Sequence, residues 1–417
     1  MKKNILILVL MIPFCLLTAQ QIAFPGADGF GKNAAGGRGG AVYHVTNLND
    51  AGAGSFRDAV SQPKRTVVFD LSGVIKIQSR ISVASFITIA GQTAPGEGIV
   101  VYGNGVSFSG SNDIIVRYIR FRGSVEMSKG VCTVSADHAK DIIFDHVSIE
   151  WGRWDNLHIK ESKDITLQYC LIGEAINPQM FGALLENPTN LTIHHCLWVD
   201  NQSRNPKAKA GIEFINNVIY NWGSNGLVGG HSAADHYQDI INNYFIVGPN
   251  SSNGFISQFS VTDHVYHAGN LVDMDKNGKL NGRPVSTEEF VKTTATIVTK
   301  AQNTSLSLSA IEKPEAAFKT VLAQAGASLR RDAIDARLTG YVKSLGKEGR
   351  VIKSETEVGG QQAIKSVKAP NDSDGDGMPD RWEKKNGLNA DDPKDANGIN
   401  VKGYSKLEEY LNNLTVH

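Results

Sequence analysis

The sequence shows no excess of charge of either sign, because 42 lysine and arginine residues balance 42 aspartate and glutamate residues. This balance excludes the broad basic face of a nucleic-acid-binding protein and a polybasic membrane anchor. Cysteine is scarce as well, with 4 residues in 417, which is far too few for a disulfide-stapled scaffold. Helical periodicity is missing between the apolar segments of the central region, which excludes βαβ units there. These absences leave an electrically neutral protein whose core must come from something other than alternating helices and strands.

The N-terminal residues are typical of a secretory signal. Two lysines at positions 2 and 3 precede an apolar run over residues 5–17, and small residues follow. The run is too short to span a bilayer comfortably. Phe14 stands before Cys15, where a lipoprotein signal requires a small side chain. We therefore predict a signal peptide over residues 1–20, secretion, and no membrane span.

The central region is repetitive. Glycine is abundant, at 42 residues, which favours a turn-rich β protein. Short apolar segments recur every 21–28 residues, a period that indicates a solenoid whose coils each supply one strand per sheet. We predict an all-β fold, a right-handed parallel β-helix of at least seven coils within residues 21–360. The segments are Ile87–Ala90, Ile114–Phe121, Ile142–Ile149, Ile165–Ile172, Leu191–Val199, Ile212–Tyr220, Ile240–Val247 and Val265–Val272.

Equivalent positions of these segments carry similar residues, which predicts ladders of stacked side chains inside the solenoid. Alignment by pattern stacks Gly91, Tyr118, His146, Cys170, Cys196, Asn217, Asn243 and Asn270. We expect these cysteines and asparagines to be buried ladder residues rather than ligands. Cys170 should lie over Cys196, and Asn217 over Asn243.

Two regions flank the repeats. Residues 22–66 are glycine-rich and then amphipathic over Ser55–Val60, which suits a cap over the first coil. Between about residues 288 and 347, apolar residues recur three and four apart. This spacing predicts helices over Ala316–Gln324 and Leu329–Leu345, packed on the outside of the solenoid.

The acidic C-terminal segment contains the sharpest motif of the chain. Carboxylates occupy places one, three, five, nine and twelve of the calcium-loop template, and glycine occupies place six. Without an ion these carboxylates would repel one another; the alternative is a solvated acidic linker. Residues 370–417 resemble the thrombospondin type 3-like calcium repeats of secreted bacterial enzymes. We predict one structural calcium ion (Ca2+) held by Asp372, Asp374, Asp376, Asp380, Glu383 and the Met378 carbonyl.

A cation-rich run follows one of the predicted strands. His194-His195 precedes Arg204-Asn-Pro206-Lys207-Ala-Lys209. Here the chain resembles the secreted bacterial pectate lyases of polysaccharide lyase family one, whose motif is Arg-x-Pro-x-x-Arg after a His-His strand; lysine replaces the final arginine. The resemblance covers about residues 22–272. It also rests on the opening Ala23–Gly29, the segment Val45–Arg57 and Asp145-His146.

The resemblance implies β-elimination of a polyuronate such as pectate, an acidic plant polysaccharide. It makes Arg204 the base that takes the C5 proton. We expect Lys209 to support the chemistry, and Lys207, Arg153 and His231 to bind substrate. Free arginine is essentially always protonated, so this role needs the positive field of neighbouring groups. Without that field, Arg204 acts only as an electrostatic clamp.

The resemblance also implies a catalytic calcium ion, which as a Lewis acid would stabilise the enolate-like intermediate. Asp155 is the candidate ligand in this sequence. The family's second aspartate would fall four residues later, where this chain has Ile159. An earlier coil presents Cys132 about where the family places an acid.

We expect the lyase to be a monomer without a nucleic-acid partner. Two other functions remain open. A glycoside hydrolase on the same fold needs two facing carboxylates roughly 5–10 Å apart, for which the candidates are Asp155 and Glu174. A non-catalytic carbohydrate-binding solenoid would use surface aromatic residues, for which the candidates are Trp151, Trp154 and Trp222.

Overall fold

The computed structural model describes residues 21–306 and 311–415, so the predicted signal peptide lies outside the described residues. Within these ranges, three sheets of 11, 8 and 10 strands wind around one apolar core. Successive coils pair in parallel, with one antiparallel pair at the end of the third sheet, between Leu271–Asp273 and Arg283–Pro284. The numbers of strands exceed the seven coils expected from the repeats. The predicted parallel β-helix is confirmed. None of the described helices has the length and apolar character needed to cross a lipid bilayer.

Each coil contributes short strands to the three sheets. The first sheet contains Ala41–Val45, Arg65–Phe69, Ile87–Ala90, Asn112–Arg117, Lys140–Asp145, Lys163–Gln168, Thr189–His194, Ile212–Ile215, His236–Ile241, Asp263–Ala268 and Thr296–Ile297. The second contains Ile81–Ser82, Val106–Ser107, Val134–Asp137, Asp155–Lys160, Phe181–Glu186, Lys207–Lys209, Leu227–Gly229 and Ile256–Ser257. The third contains Gly73–Ile77, Ile99–Gly103, Arg120–Arg122, Ser148–Glu150, Leu171–Gly173, Leu197–Val199, Val218–Tyr220, Tyr244–Ile246, Leu271–Asp273 and Arg283–Pro284.

Several predicted strands are in fact two strands that meet at a corner. Ile142–Ile149, for example, comprises the end of Lys140–Asp145 and most of Ser148–Glu150. His146 lies between them in the left-handed region, with φ of 54°. A single left-handed residue turns the chain from one sheet to the next without interrupting the apolar pattern, so the pattern alone could not reveal the corner.

The internal ladder is confirmed for the cysteines and asparagines. The main-chain N–H of Cys196 donates to Asn217 Oδ1 at 2.9 Å, and that of Asn217 donates to Asn243 Oδ1 at 2.9 Å. Cys170 lies over Cys196, with its main-chain nitrogen 3.4 Å from the Cys196 sulfur. The stacking of His146 with Cys170 was wrong by one residue, because Ser148 pairs with Leu171 and this register places His146 beside Tyr169.

The helices are short. The α-helices are α1, Phe56–Ala59; α2, Thr287–Val291; α3, Pro314–Gln324; α4, Ala333–Lys343; α5, Asp380–Lys385; and α6, Lys406–Asn413. Single 3-10 turns cover Phe30–Asn33, Gly91–Thr93, Ser328–Arg330, Glu355–Val358 and Asp395–Asn397. Helices α3 and α4 pack on the outer face of the third sheet through Phe318, Val321 and Leu338. The predicted outer helices are therefore confirmed, with α4 shorter than its sequence pattern.

The outer face of the first sheet is covered by two other segments. Residues 28–40, here called the glycine strap, lie along its side rather than over its end. Gly31 donates its N–H to Thr166 Oγ1 at 2.9 Å, and Gly37 donates to Thr88 Oγ1 at 2.9 Å. A Cβ atom on Gly31 would lie 2.2 Å from the Ile142 carbonyl oxygen, so only glycine permits this approach.

The C-terminal segment covers the beginning of the same face. Met378, Leu407 and Leu411 pack against Val68 and Ala90 of the first sheet. Helices therefore cover the third sheet, while the strap and the C-terminal segment cover part of the first. Outward side chains of the second sheet stay partly exposed, and this face carries the cation-rich motif.

Candidate active site

The candidate site lies on the outer face of the second sheet, and its surface is here called the groove. Its strands Asp155–Lys160, Phe181–Glu186 and Lys207–Lys209 are consecutive neighbours. Residues in register on neighbouring strands lie about 4.8 Å apart, so their outward side chains share one surface. The groove residues are Arg80, Asp155, His158, Glu186, Arg204, Lys207 and Lys209.

The main chain fixes Arg204 between two coils. Arg204 has a left-handed φ of 59°, and its carbonyl accepts the Ala183 N–H at 2.8 Å. The next residue, Asn205, donates its N–H to the Gly226 carbonyl at 2.9 Å and accepts from Asn201 Nδ2 at 2.9 Å. Contacts to coils on both sides therefore set the direction in which the arginine leaves the chain.

The side chain of Arg204 is fixed by a buried carboxylate and an aromatic ring. Its Nη1 donates to both Asp155 oxygens, at 3.2 and 3.1 Å, and its guanidinium carbon lies 4.2 Å from the centroid of the Phe181 ring. Asp155 is only 1% exposed, whereas the Arg204 side chain is 20% exposed. Among the described residues, the other two guanidinium nitrogens have no hydrogen-bond partner, so they are available to a substrate.

Positive charge dominates around this pair. Burial raises the pKa of Asp155 to about 7, although Arg204 opposes the shift. Burial, followed by the positive charges of Arg204 and Lys209, lowers the pKa of Lys207. A carboxylate on a substrate would relieve this mutual repulsion of the cations.

Lys209 faces the groove from the strand Lys207–Lys209, which is separated from the strand of Asp155 by one intervening strand. Its Nζ lies 3.6 Å from Glu186 Oε1, and the other Glu186 oxygen lies 3.0 Å from His158 Nε2. Arg204, Lys207, Lys209 and Asp155, all expected from the sequence, are thus brought together. Phe181 and Glu186 were missed because each lies on an earlier coil and carries no local motif.

The two other expected substrate-binding residues lie differently. Arg153 donates to the main-chain carbonyls of Val125, Met127 and Asn177, at 2.7, 2.7 and 3.0 Å, and so ties loops together. His231 is exposed and follows the next second-sheet strand, with its N–H 3.4 Å from Asp263 Oδ2. Arg153 therefore already has partners, whereas His231 is exposed at the end of the strand that follows Lys207–Lys209.

The C-terminal segment contains a separate acidic cluster. Oxygen atoms of Asp372, Asp374 and Asp376 lie within 4.8 Å of one another, and so do those of Asp376, Glu383 and Asp395. Asp376 and Glu383 are almost completely buried, and five of the cluster's carboxylate oxygens have no hydrogen-bond partner among the described residues. Burial, followed by the neighbouring carboxylates, raises the pKa of Asp376 and of Glu383 to about 7. Such a donor set fits a divalent cation with oxygen ligands.

One expected side chain, that of Asp380, lies outside this cluster. The Asp380 carboxylate instead accepts hydrogen bonds from the Ser373 N–H at 2.7 Å and from Asn371 Nδ2 at 2.9 Å. Met378 buries its side chain and donates its N–H to Asp376 Oδ1 at 2.8 Å. Asp395 was missed because it lies beyond the twelve places of the loop template.

Comparison with known proteins decides the family. No family model matches the chain. The probable pectate lyase C of Aspergillus flavus is 41% identical over 399 residues, which are 95% of this chain and 95% of that protein. The chain belongs to the pectate lyases. The probable pectate lyase C of Aspergillus fumigatus is likewise 41% identical, over 416 residues and 99% of each chain.

Solved pectate lyase structures share the fold. A thermostable pectate lyase matches with a TM-score of 0.54 and 13% identity, over 74% of this chain and 98% of that chain. A pectate lyase bound to a hexasaccharide matches with a TM-score of 0.53 and 13% identity, again over 74% and 98%. The prediction of a pectate lyase-like enzyme on a parallel β-helix is thus confirmed at the level of the family and the fold.

The alternatives lose their structural basis in this pectate lyase. Glu174 is fully buried and accepts hydrogen bonds from Arg337 Nη2 at 2.8 Å and Trp151 Nε1 at 3.2 Å, while Asp155 is paired with Arg204. Neither carboxylate is therefore free to serve a hydrolase. The expectation of surface aromatic residues was wrong for two of the three tryptophans, because Trp151 and Trp222 are 0% exposed.

Proposed function

We propose that this pectate lyase cleaves a polyuronate, such as pectate, by β-elimination in the second-sheet groove, with Arg204 at the reacting carbon. The observation that carries the proposal is the fixed Arg204 guanidinium, which Asp155 and Phe181 hold from one side while two nitrogens remain available. Lys207 and Lys209 follow on the next strand. The motif that carries the family resemblance therefore lies on a partly exposed face.

The reaction places a specific demand on this groove. Removal of the C5 proton leaves an enolate-like charge on the C6 carboxylate, and loss of the oxygen at C4 then forms the C4–C5 double bond. By the family resemblance Arg204 takes the proton, and for this step its guanidinium must be in the neutral form. The ammonium groups of Lys207 and Lys209 favour that form because they oppose a further positive charge beside them. The same ammonium groups lie where they stabilise the developing negative charge.

Replacement of Arg204 by lysine tests the proposal. Arg204→Lys keeps a positive charge but loses the planar fork, and we expect turnover to fall by about 10²-fold or more, as is typical when acid–base catalysis is lost. The ultraviolet absorbance of the unsaturated uronate measures turnover, and circular dichroism confirms folding. Arg283→Lys is the matched control, since Arg283 forms an exposed pair with Glu289 on the third-sheet side. Near-normal turnover of Arg204→Lys would show that the site lies elsewhere, and new reducing ends without this absorbance would indicate hydrolysis.

We also infer that the C-terminal cluster holds one calcium ion through Asp372, Asp374, Asp376, Glu383 and Asp395. The buried oxygens without partners support this assignment, and the Met378 carbonyl at place seven remains a predicted ligand. Calorimetry on the full chain should show one calcium ion bound, and none in Glu383→Gln. The conservative change at Asp380, Asp380→Asn, should leave binding within about tenfold, because Asp380 has other partners.

The chain is proposed to be a monomer. It is also proposed to act outside the cell after removal of residues 1–20, because the N-terminal segment fits a signal peptide. N-terminal sequencing of protein recovered from the medium of an expressing host should begin near Gln21. Retention of Met1 in the exported protein would contradict cleavage.

A further inference from the structure

The calcium ligand that the sequence predicts in the groove, Asp155, is already engaged. Arg204 Nη1 donates to both oxygens of Asp155, and the carboxylate is 1% exposed. A calcium ion requires six to eight oxygen ligands. Asp155 would have to exchange its guanidinium partner for an ion, and other oxygen ligands would have to lie close by.

The neighbouring side chains do not supply those ligands. Glu186 is shared between His158 and Lys209. Burial, followed by Asp155, raises the pKa of the Cys132 thiol to about 12, which leaves a neutral and poor ligand for calcium. Ile159 is 0% exposed and faces the core. Among the described residues, groups of three acidic, histidine or cysteine side chains that could share an ion occur only in the C-terminal segment. The groove therefore does not fit a calcium ion.

One guanidinium group reaches a point where the family resemblance placed an acid. Val134 pairs with Leu157, and this register puts Cys132 beside Asp155 on the adjacent coil. Arg80 reaches this point from the first coil, donating to the Cys132 carbonyl at 3.2 Å and to Ser135 Oγ at 2.7 Å. Arg80 has no ion-pair partner among the described residues. Arg80 thus contacts Cys132 on one coil, and Arg204 contacts Asp155 beside it on the next coil.

We propose that Arg80, Lys207 and Lys209 hold and neutralise the substrate carboxylate beside Arg204, in place of a calcium ion. Guanidinium and ammonium groups form charge-assisted hydrogen bonds with carboxylates, and these three side chains supply the positive charge while Arg204 takes the proton. Calcium then serves only the C-terminal cluster, away from the chemistry. This inference rests on the proposed β-elimination.

Removal of calcium from the full chain tests the inference. Both the wild type and Glu383→Gln are assayed on polygalacturonate with a chelator and with saturating calcium, at a temperature where circular dichroism shows both to be folded. We expect kcat/KM in chelator to stay within about twofold of its value in calcium. A loss of about 10²-fold or more in folded enzyme, restored by calcium, would overturn the inference while leaving β-elimination intact. Absence of unsaturated product in every condition would instead refute the proposed function.

Ion binding provides a second readout if chelation unfolds the protein. Calorimetry of Glu383→Gln in the presence of a saturated oligogalacturonate should detect no calcium binding. A calcium ion bound in that variant would overturn the inference, because the altered C-terminal cluster could not account for it.

Substitution at Arg80 tests its own role. Arg80→Ala should raise KM by about tenfold or more on polygalacturonate and much less on its methyl ester, with Arg80→Lys recovering part of the loss. Arg283→Ala is the control, since it removes an exposed arginine outside the groove. An equal effect of Arg80→Ala on both polymers, or no effect on either, would contradict binding of the carboxylate by Arg80.

Discussion

Asp155 is a buried carboxylate that orients a side chain of the candidate site. It is buried at the start of a second-sheet strand, and its only charged hydrogen-bonding partner among the described residues is Arg204. Its carboxyl group is therefore a positioning group. It fixes the direction of the guanidinium and partly balances the surrounding cations.

The raised pKa of Asp155 makes a pH-dependent stability prediction. A carboxyl group whose pKa rises from 3.8 to about 7 on folding costs stability as pH increases through this interval, because the folded state retains its proton longer. The free energy of unfolding of the wild type, relative to Asp155→Asn, should therefore fall between about pH 4 and pH 7, by at most about 1.4 kcal/mol per pH unit. Urea unfolding of both proteins over a pH series measures the difference. Parallel profiles would contradict it.

Lys209 should act more on binding than on turnover. It lies two residues beyond Lys207 on the same strand and is only loosely paired with Glu186, at 3.6 Å. Lys209→Ala should raise KM by about tenfold, as expected for one lost charge-assisted contact, and should lower kcat much less than Arg204→Lys does, because Lys209 supplies charge and not the proton transfer. Lys140→Ala, an exposed lysine of the first sheet, is the matched control. A fall in kcat without a change in KM would place Lys209 at the reacting carbon.

Sequence reasoning found the residues that share one motif and missed those on other coils. Arg204, Lys207 and Lys209 stand within six positions of one another, so their pattern is visible in the sequence. Phe181 and Arg80 come from earlier coils, and only the register of the solenoid brings them to the groove. Local patterns carry no information about such contacts.

At the scale of the strands, the left-handed corners explain both the success and the error of the repeat analysis. The apolar period reveals the coils because each coil repeats the same inward positions. The corner between the first and third sheets places Tyr118, His146, Tyr169 and His195 in the left-handed region. The first three form a continuous stack of rings, at 4.5 and 4.9 Å between centroids. The pattern could not distinguish this ring stack from the ladder one residue further on.

The asparagine ladder should contribute more to stability than the cysteines beside it. Asn243 accepts hydrogen bonds from the N–H and the Nδ2 of Asn217 and donates to the Phe214 carbonyl at 2.8 Å. Asn243→Ala leaves these buried groups unpaired and should cost about 3 kcal/mol or more. Cys170→Ala removes only weak sulfur contacts and should cost less. Urea unfolding compares the two, and an equal or smaller loss in Asn243→Ala would contradict the expectation.

At the scale of the whole molecule, the three faces of the solenoid have different tasks. Helices cover the third sheet, the strap and the C-terminal segment cover part of the first, and the groove occupies the second. The C-terminal segment is joined to the solenoid by more than apolar contact. His44 Nε2 lies 3.1 Å from the Gly375 carbonyl, and Arg38 Nε lies 2.7 Å from Glu408 Oε1.

Calcium should therefore stabilise the whole protein through its C-terminal segment. A ligand at about 100 times its Kd adds about 2.7 kcal/mol to the folded state. Saturating calcium should raise the Tm of the wild type by several degrees and leave the Tm of Glu383→Gln unchanged. Thermal unfolding followed by circular dichroism measures both. An equal rise in both proteins would place the stabilising ion outside the cluster.

The glycine strap has a consequence for how the molecule comes apart. In a simple solenoid each coil interacts only with its neighbours, so the end coils can fray independently of the middle. Here residues 28–40 bind Thr192 and Thr166 at one end and Thr88 at the other, and so fasten together coils that are distant in the stack. The opening of one coil must release the strap from the others. Amide hydrogens along the strapped part of the first sheet should then exchange with solvent together, as one cooperative unit, rather than in order of their distance from the end.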